Sequence, residues 1–210
     1  MKYTHILWDF NGTILNDVDT GIVSVNTLLA ARGLPTLRSV EDYHKVFGFP
    51  IIDYYKKLGF DFDKEPYDKI AHEWVALYLE HVKKAGVYDG VRETLEEIKK
   101  LGIPQIILSA SKTDMLEEQL TSLGVREYFS EVLGLGDIYA NSKVDIGKAW
   151  IKKVKPDRAL LLGDTEHDYD VAQAIGADCV LIEGGHQPRE KLEKCGVKVI
   201  KNAKEIIKML

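Results

Sequence analysis

Cysteine is scarce in this chain: two residues in 210, Cys179 and Cys195. Two thiols are too few for a disulfide framework. Cys179, inside an apolar run, reads as a small buried hydrophobe. Long hydrophobic runs are also missing. The short apolar stretch that follows Met1–His5 is broken by Asp9, too soon for a signal core or a membrane span. A cytoplasmic location and no membrane partner are therefore expected. Positive charge shows no excess, since 28 Lys and Arg stand against 33 Asp and Glu, or 28 − 33 = −5. A mildly acidic chain is a poor fit to non-specific nucleic-acid binding, which needs a basic surface. An anionic substrate must then be held locally, by a metal or a few placed donors.

What remains is an ordinary globular composition, 45% apolar and 29% charged, without repeats or low-complexity segments. The length suits one domain, or a core with a modest insertion. Buried strands are expected over Tyr3–Trp8, Gln105–Leu108, Ala159–Leu162 and Cys179–Ile182, with a last strand at Val197–Ile200 and a helix at Ala203–Met209. Amphipathic stretches such as Val91–Leu101 and Met115–Leu123 lie between them. Such alternation predicts an α/β fold with a doubly wound parallel sheet. From about Asp17 to Gly86 the pattern is helical only: Val18–Ala31, Val40–Val46, Ile51–Leu58 and Tyr67–Lys84. That is too long for a simple crossover, so 17–86 is expected to be an inserted helical cap on a core of 1–16 and 87–210. Ligands of open α/β sheets bind beyond the carboxyl ends of the strands. An insertion leaving directly after the first strand would cover that place.

Four segments fall at predicted strand ends or in the loops beyond them. Trp8-Asp9-Phe10-Asn11-Gly12-Thr13 puts a carboxylate before a tight glycine turn. Leu108-Ser109-Ala110-Ser111 places a hydroxyl after an apolar strand. Lys143 lies in the loop before a Val144–Val154 helix. Leu162-Gly163-Asp164-Thr165-Glu166-His167-Asp168 sets two aspartates four apart. Together they supply a nucleophilic carboxylate, hard oxygen ligands, a hydroxyl donor and one ammonium, the parts that phosphoryl transfer asks for. Mg²⁺ suits so few carboxylates completed by phosphate and water.

In order and spacing these segments resemble the haloacid dehalogenase-type phosphatase superfamily, and within it the phosphoglycolate-phosphatase-like branch with a helical cap. The resemblance covers nearly the whole chain, and Tyr88-Asp89-Gly90-Val91 resembles the segment where the cap returns to the core. It implies a Mg²⁺-dependent phosphatase acting on a small phosphorylated metabolite. Asp9 would attack phosphorus and also ligate Mg²⁺, with the Asn11 carbonyl and Asp164 as further ligands. Asp168 would ligate through water or hold Lys143. Ser109, with Ala110 beside it, and Lys143 would bind the phosphoryl oxygens.

Position 11 departs from the pattern, because the family's second aspartate, its general acid and base, is here Asn11. An amide donates a hydrogen bond but exchanges no proton near neutrality. Asn-Gly is also a favoured turn. Three outcomes follow: substrates with good leaving groups, a long-lived phosphoenzyme favouring a phosphotransferase or mutase, or a slow phosphatase with its acid elsewhere, for example Asp17. A non-catalytic phosphate- or metal-binding regulator is the rival from another class. Other features read as structural: Ser111 with Asp114 as a capping box, His167 as a surface residue, His186 as part of a solvated turn, and Trp74, Leu77 and Tyr78 as cap packing.

Overall fold

The computed structural model describes residues 2–139 and 142–210. Six strands form one sheet: β1 (His5–Trp8), β2 (Gln105–Lys112), β3 (Glu131–Leu135), β4 (Ala159–Gly163), β5 (Asp178–Ile182) and β6 (Lys198–Ile200). Every neighbouring pair is parallel, in the order β3-β2-β1-β4-β5-β6. Parallel strands are buried on both faces, which is why they read as continuous apolar runs. Ile6, Trp8, Ile107, Leu160 and Leu162 enter one core cluster, and Leu7, Ile106, Leu108 and Leu161 enter the other. On the first face lie α5 (Val91–Lys100), α6 (Thr113–Ser122) and the C-terminal 3₁₀ turn Ala203–Met209. On the second lie α7 (Val144–Val154) and α8 (Glu166–Ile175), with the short α9 (Arg189–Leu192) near the last strand.

Two strand expectations need correction. β2 runs on to Lys112, so Ser109 lies inside it, and its register against β3 shifts between Leu108 and Lys112. β3 carries no strong apolar run and is only half-buried. It holds Gly134, where a side chain would overlap Leu116 and the Ser111 backbone. The last helix is a 3₁₀ turn rather than an α-helix.

The long helical stretch contains α1 (Val18–Ala31), α2 (Val40–Val46), α3 (Ile51–Lys57) and α4 (Tyr67–His81), continued by a 3₁₀ turn, Val82–Lys84. These helices build their own apolar cluster around Val25, Leu29, Tyr43, Tyr54, Tyr55 and Ile70. The chain leaves and returns side by side. Asn16 N–H donates to the Gly86 carbonyl at 2.9 Å and Tyr88 N–H to that of Ile14 at 2.9 Å. Among the described residues no helix is long and apolar enough to cross a membrane.

Candidate active site

Strand order reverses between β1 and β4, and the loops after these strands meet there. Such switch points open a crevice at the carboxyl edge of a sheet. Asp9 follows β1 directly, its N–H held by the Leu162 carbonyl of β4 at 2.8 Å. Asp164 follows β4, and Asp168 sits one turn into α8. The three carboxylates are buried, and an oxygen from each lies within 4.8 Å of the others. Lys143, at the N-cap of α7, joins them. Its Nζ is 2.5 Å from Asp9 Oδ1, 2.7 Å from Asp168 Oδ1 and 2.9 Å from the Leu108 carbonyl.

Asp168 is committed on both oxygens. Its Oδ2 accepts the N–H groups of Asp164 (3.2 Å) and Thr165 (3.0 Å) and the Thr165 hydroxyl (2.6 Å), closing a capping box at the start of α8. Asp164 accepts the Thr13 hydroxyl on Oδ1 (2.9 Å) and the His186 N–H on Oδ2 (2.6 Å). Glycine is required around it. Gly12 has φ +72°, and a side chain at Gly12 or Gly185 would overlap the Asp164 carboxylate.

The electrostatics follow from three carboxylates around one ammonium, −3 + 1 = −2. Burial pushes Asp9 up to about 8, against the pull of Lys143. Burial also lifts Asp164 to about 6. Burial works in the same direction on Asp168, but Lys143 and the Thr165 hydroxyl hold it below the ordinary range. Burial would lower Lys143, yet Asp168 and Asp9 outweigh it and raise the ammonium. A cluster of hard oxygen donors with a surplus of two negative charges fits a divalent cation such as Mg²⁺.

Each residue expected at the site lines one cavity: Asp9, Asn11, Ser109, Ala110, Lys143, Asp164 and Asp168. Other expectations about local structure fail. Ser111 caps no helix, since α6 begins at Thr113, and its hydroxyl donates to Asn11 Oδ1 at 2.8 Å. His186 is buried rather than solvated. Its Nε2 is 3.2 Å from Asp17 Oδ1, and its Nδ1 is 2.8 Å from the Tyr43 hydroxyl. Burial would lower this imidazole, but Asp17 outweighs burial and lifts it to about 9. His167 is half-buried and stacks on Phe49 with ring centroids 4.4 Å apart.

Tyr78 is more than packing, because it donates to Asp17 Oδ2 at 2.6 Å. Asn11 Nδ2 donates to the same Oδ2 at 2.8 Å and to the Tyr78 hydroxyl at 2.7 Å. Burial would raise Asp17, but His186, Tyr78 and Asn11 together keep it below the usual carboxylate range. Asp17, Tyr78 and His186 thus form a polar network behind Asn11. Asp17 alone carried a sequence signal, as an acid just past the first motif.

The fold and crevice define a doubly wound α/β protein with a carboxylate cluster at its switch point. The chain belongs to the haloacid dehalogenase-like hydrolase family, whose profile matches residues 6–182. It is 27% identical over 192 residues to a phosphoglycolate phosphatase of Pseudomonas syringae pv. tomato, covering 86% of this chain and 70% of that protein. It is 24% identical over 210 residues to the tyrosine-protein kinase PtkA of Mycobacterium tuberculosis, covering 96% and 69%. A haloacid dehalogenase-like family hydrolase from Streptococcus pneumoniae superposes with a TM-score of 0.85 at 19% identity, over 99% of this chain and 98% of that one.

Proposed function

We propose that this protein is a Mg²⁺-dependent phosphomonoester hydrolase of the phosphoglycolate-phosphatase-like type, which works through an aspartyl-phosphate on Asp9. The observation that carries the reading is the buried Asp9 carboxylate, set between Lys143 and Asp164 at the switch point. Asp9, Asp164 and the Asn11 carbonyl would hold the cation. Asp168, with both oxygens engaged, would act mainly by fixing Lys143 and the start of α8. When bound, Mg²⁺ supplies neutralising charge at the phosphoryl group.

An Asp9 oxygen attacks phosphorus, the P–O ester bond breaks, and the alcohol oxygen leaves with its electron pair and takes its proton from water. Lys143 balances the charge, and Ser109 offers its hydroxyl to a phosphoryl oxygen. Its Oγ already accepts the Ser111 N–H at 3.1 Å, which leaves the hydroxyl hydrogen to donate. Water then attacks phosphorus and returns Asp9 with release of inorganic phosphate. Residues 17–86 would close over the crevice as a cap and exclude bulk water. We infer a small phosphorylated metabolite as substrate, in the cytoplasm.

Turnover of para-nitrophenyl phosphate with and without Mg²⁺, beside an Asp9→Asn control, tests this reading. Mg²⁺-dependent turnover that Asp9→Asn abolishes is expected. No such turnover, together with no acid-stable phosphoenzyme from acetyl phosphate, would refute it. Asn11 favours a second reading, a phosphotransferase, because the amide cannot activate the water of the second half-reaction. The likeness to a protein named as a kinase points the same way. A phosphoenzyme that persists in water but discharges to an added alcohol would select it.

A further inference from the structure

The wall that faces Asp9 comes from the helical stretch and is aromatic. Tyr43, Phe47, Phe49, Tyr54, Tyr67 and Trp74 line it. The rings brace one another: Phe47 and Tyr54 have centroids 5.3 Å apart, Phe47 and Phe49 6.0 Å. Edge and tilted contacts of this kind leave faces and edges that a further ring can meet.

Charge is nearly absent from this wall. Among the described residues, the stretch 17–86 contributes no lysine or arginine to the cavity, and Asp17 is its one ionised group. The cations on the opposite side are already paired. Lys143 lies between Asp9 and Asp168, His186 against Asp17, and Lys112 is 2.6 Å from Asp114. A second anionic group on the substrate, such as a carboxylate, would meet no unpaired cation in the buried part of the cavity, where only the partly exposed Lys112, held by Asp114, comes near, and this disfavours it. The polyol of a sugar would leave most hydroxyls against carbon. One polar atom waits beside the wall, on α8 where His167 stacks on Phe49: His167 Nε2 is buried without a hydrogen-bond partner. The cavity volume is about 150 Å³; the phosphate at the Asp9 end takes part of it, and since a whole cavity of that size holds one benzene-sized ring, the rest of the substrate is limited to no more than a single ring.

Asn11 leads to the same chemistry from another side. Without a general acid, the leaving oxygen departs as an anion. A phenol loses its proton at a pKa of about 10, whereas hydroxyls like that of water need about 15.7. Resting on the hydrolase reading above, we propose that the substrate is a single-ring aryl phosphate, its ring against the aromatic wall and its phosphate on Asp9. The P–O(aryl) bond breaks as the P–O(Asp9) bond forms, and the phenolate leaves with the electron pair and takes its proton from water. Hydrolysis of the aspartyl-phosphate then consumes one water and yields inorganic phosphate.

Binding separates recognition from turnover. By calorimetry with Mg²⁺ present, benzylphosphonate should bind at least about tenfold tighter than 3-phosphonopropionate, the carboxylate-bearing phosphonate of similar length. Phe49→Ala, at a half-exposed position, should narrow that ratio by about fivefold or more. In turnover, phenyl and cyclohexyl phosphate should share similar KM values, with kcat lower for the cyclohexyl ester by about a hundredfold or more. Both should be used more efficiently than 2-phosphoglycolate. Equal or tighter binding of 3-phosphonopropionate overturns the proposal whatever the kinetics show. Preferential benzylphosphonate binding with no turnover of any phosphate, acetyl phosphate included, would sink the hydrolase reading and leave the aryl pocket standing.

Discussion

Asn11 and Asp17 share a hydrogen bond of 2.8 Å, with Tyr78 bonded to both side chains. An aspartate at position 11 would set two carboxylates in that space, beside a third at Asp9. Like charges so close cannot both ionise without penalty. Restoring the family's acid by Asn11→Asp is therefore expected to destabilise the protein by about 1 to 3 kcal/mol at pH 8. Adding Asp17→Asn, which moves the amide across the pair, should recover at least half of the loss. Urea melts of the four proteins in the cycle check this, and independent, additive effects would show that the two positions are not coupled.

The same network explains why part of the site escaped the sequence. Asp9 and Asp164 directly follow strands, Ser109 closes the apolar run of β2 and Lys143 precedes a helix, so local pattern placed them. Tyr78 and His186 reach Asp17 from 61 residues away in one case and from a different loop in the other. A tyrosine at helical spacing and a histidine after two glycines look like packing and a turn until the chain has folded.

Between β5 and α9, the loop carrying Gly184, Gly185 and His186 acts as a clamp on the loop after β4. Its His186 N–H holds Asp164 at 2.6 Å, and its backbone comes so close that a Cβ on Gly185 would overlap the Asp164 side chain. The φ of Gly185 lies outside the left-handed region, so alanine there is excluded by space and not by backbone strain. Gly185→Ala should displace the Asp164 carboxylate and lower Mg²⁺-dependent kcat by about a hundredfold, the usual consequence of a shift near 1 Å. Circular dichroism should remain unchanged, and full activity with a native melt would show that the loop has slack.

At this scale the sequence was largely legible. The bounds of α1 and α2 match their periodic stretches, because one face of each is buried and the other is wet. β3 was hidden because its five residues are half-buried throughout and interrupted by Gly134. Its place in the sheet comes from pairing with β2. The extension of β2 was hidden by Ser109-Ala110-Ser111, polar and small because they face the cavity.

The molecule as a whole holds its acidic cluster against electrostatic strain, and that strain has a pH dependence. Asp9 and Asp164 bind protons more tightly in the folded state, near about 8 and about 6, than in the unfolded state, near 3.8. Where the folded pKa is raised, stability is fully present below the unfolded value and is lost as pH rises through the folded one. Without metal the protein should therefore lose stability between about pH 4 and pH 8. A divalent cation replaces the protons, and at a hundred times its Kd it adds about 2.7 kcal/mol. In a chain of this length that corresponds to roughly 5 to 10 °C in Tm. The rise on adding Mg²⁺ should be larger at pH 8 than at pH 5, where protons on Asp9 and Asp164 compete with the metal. Asp164→Asn should remove most of it at both values. Thermal melts at the two pH values, with Mg²⁺ and with a chelator, decide the matter: an equal rise at both, or one that survives Asp164→Asn, would place the cation somewhere other than this cluster.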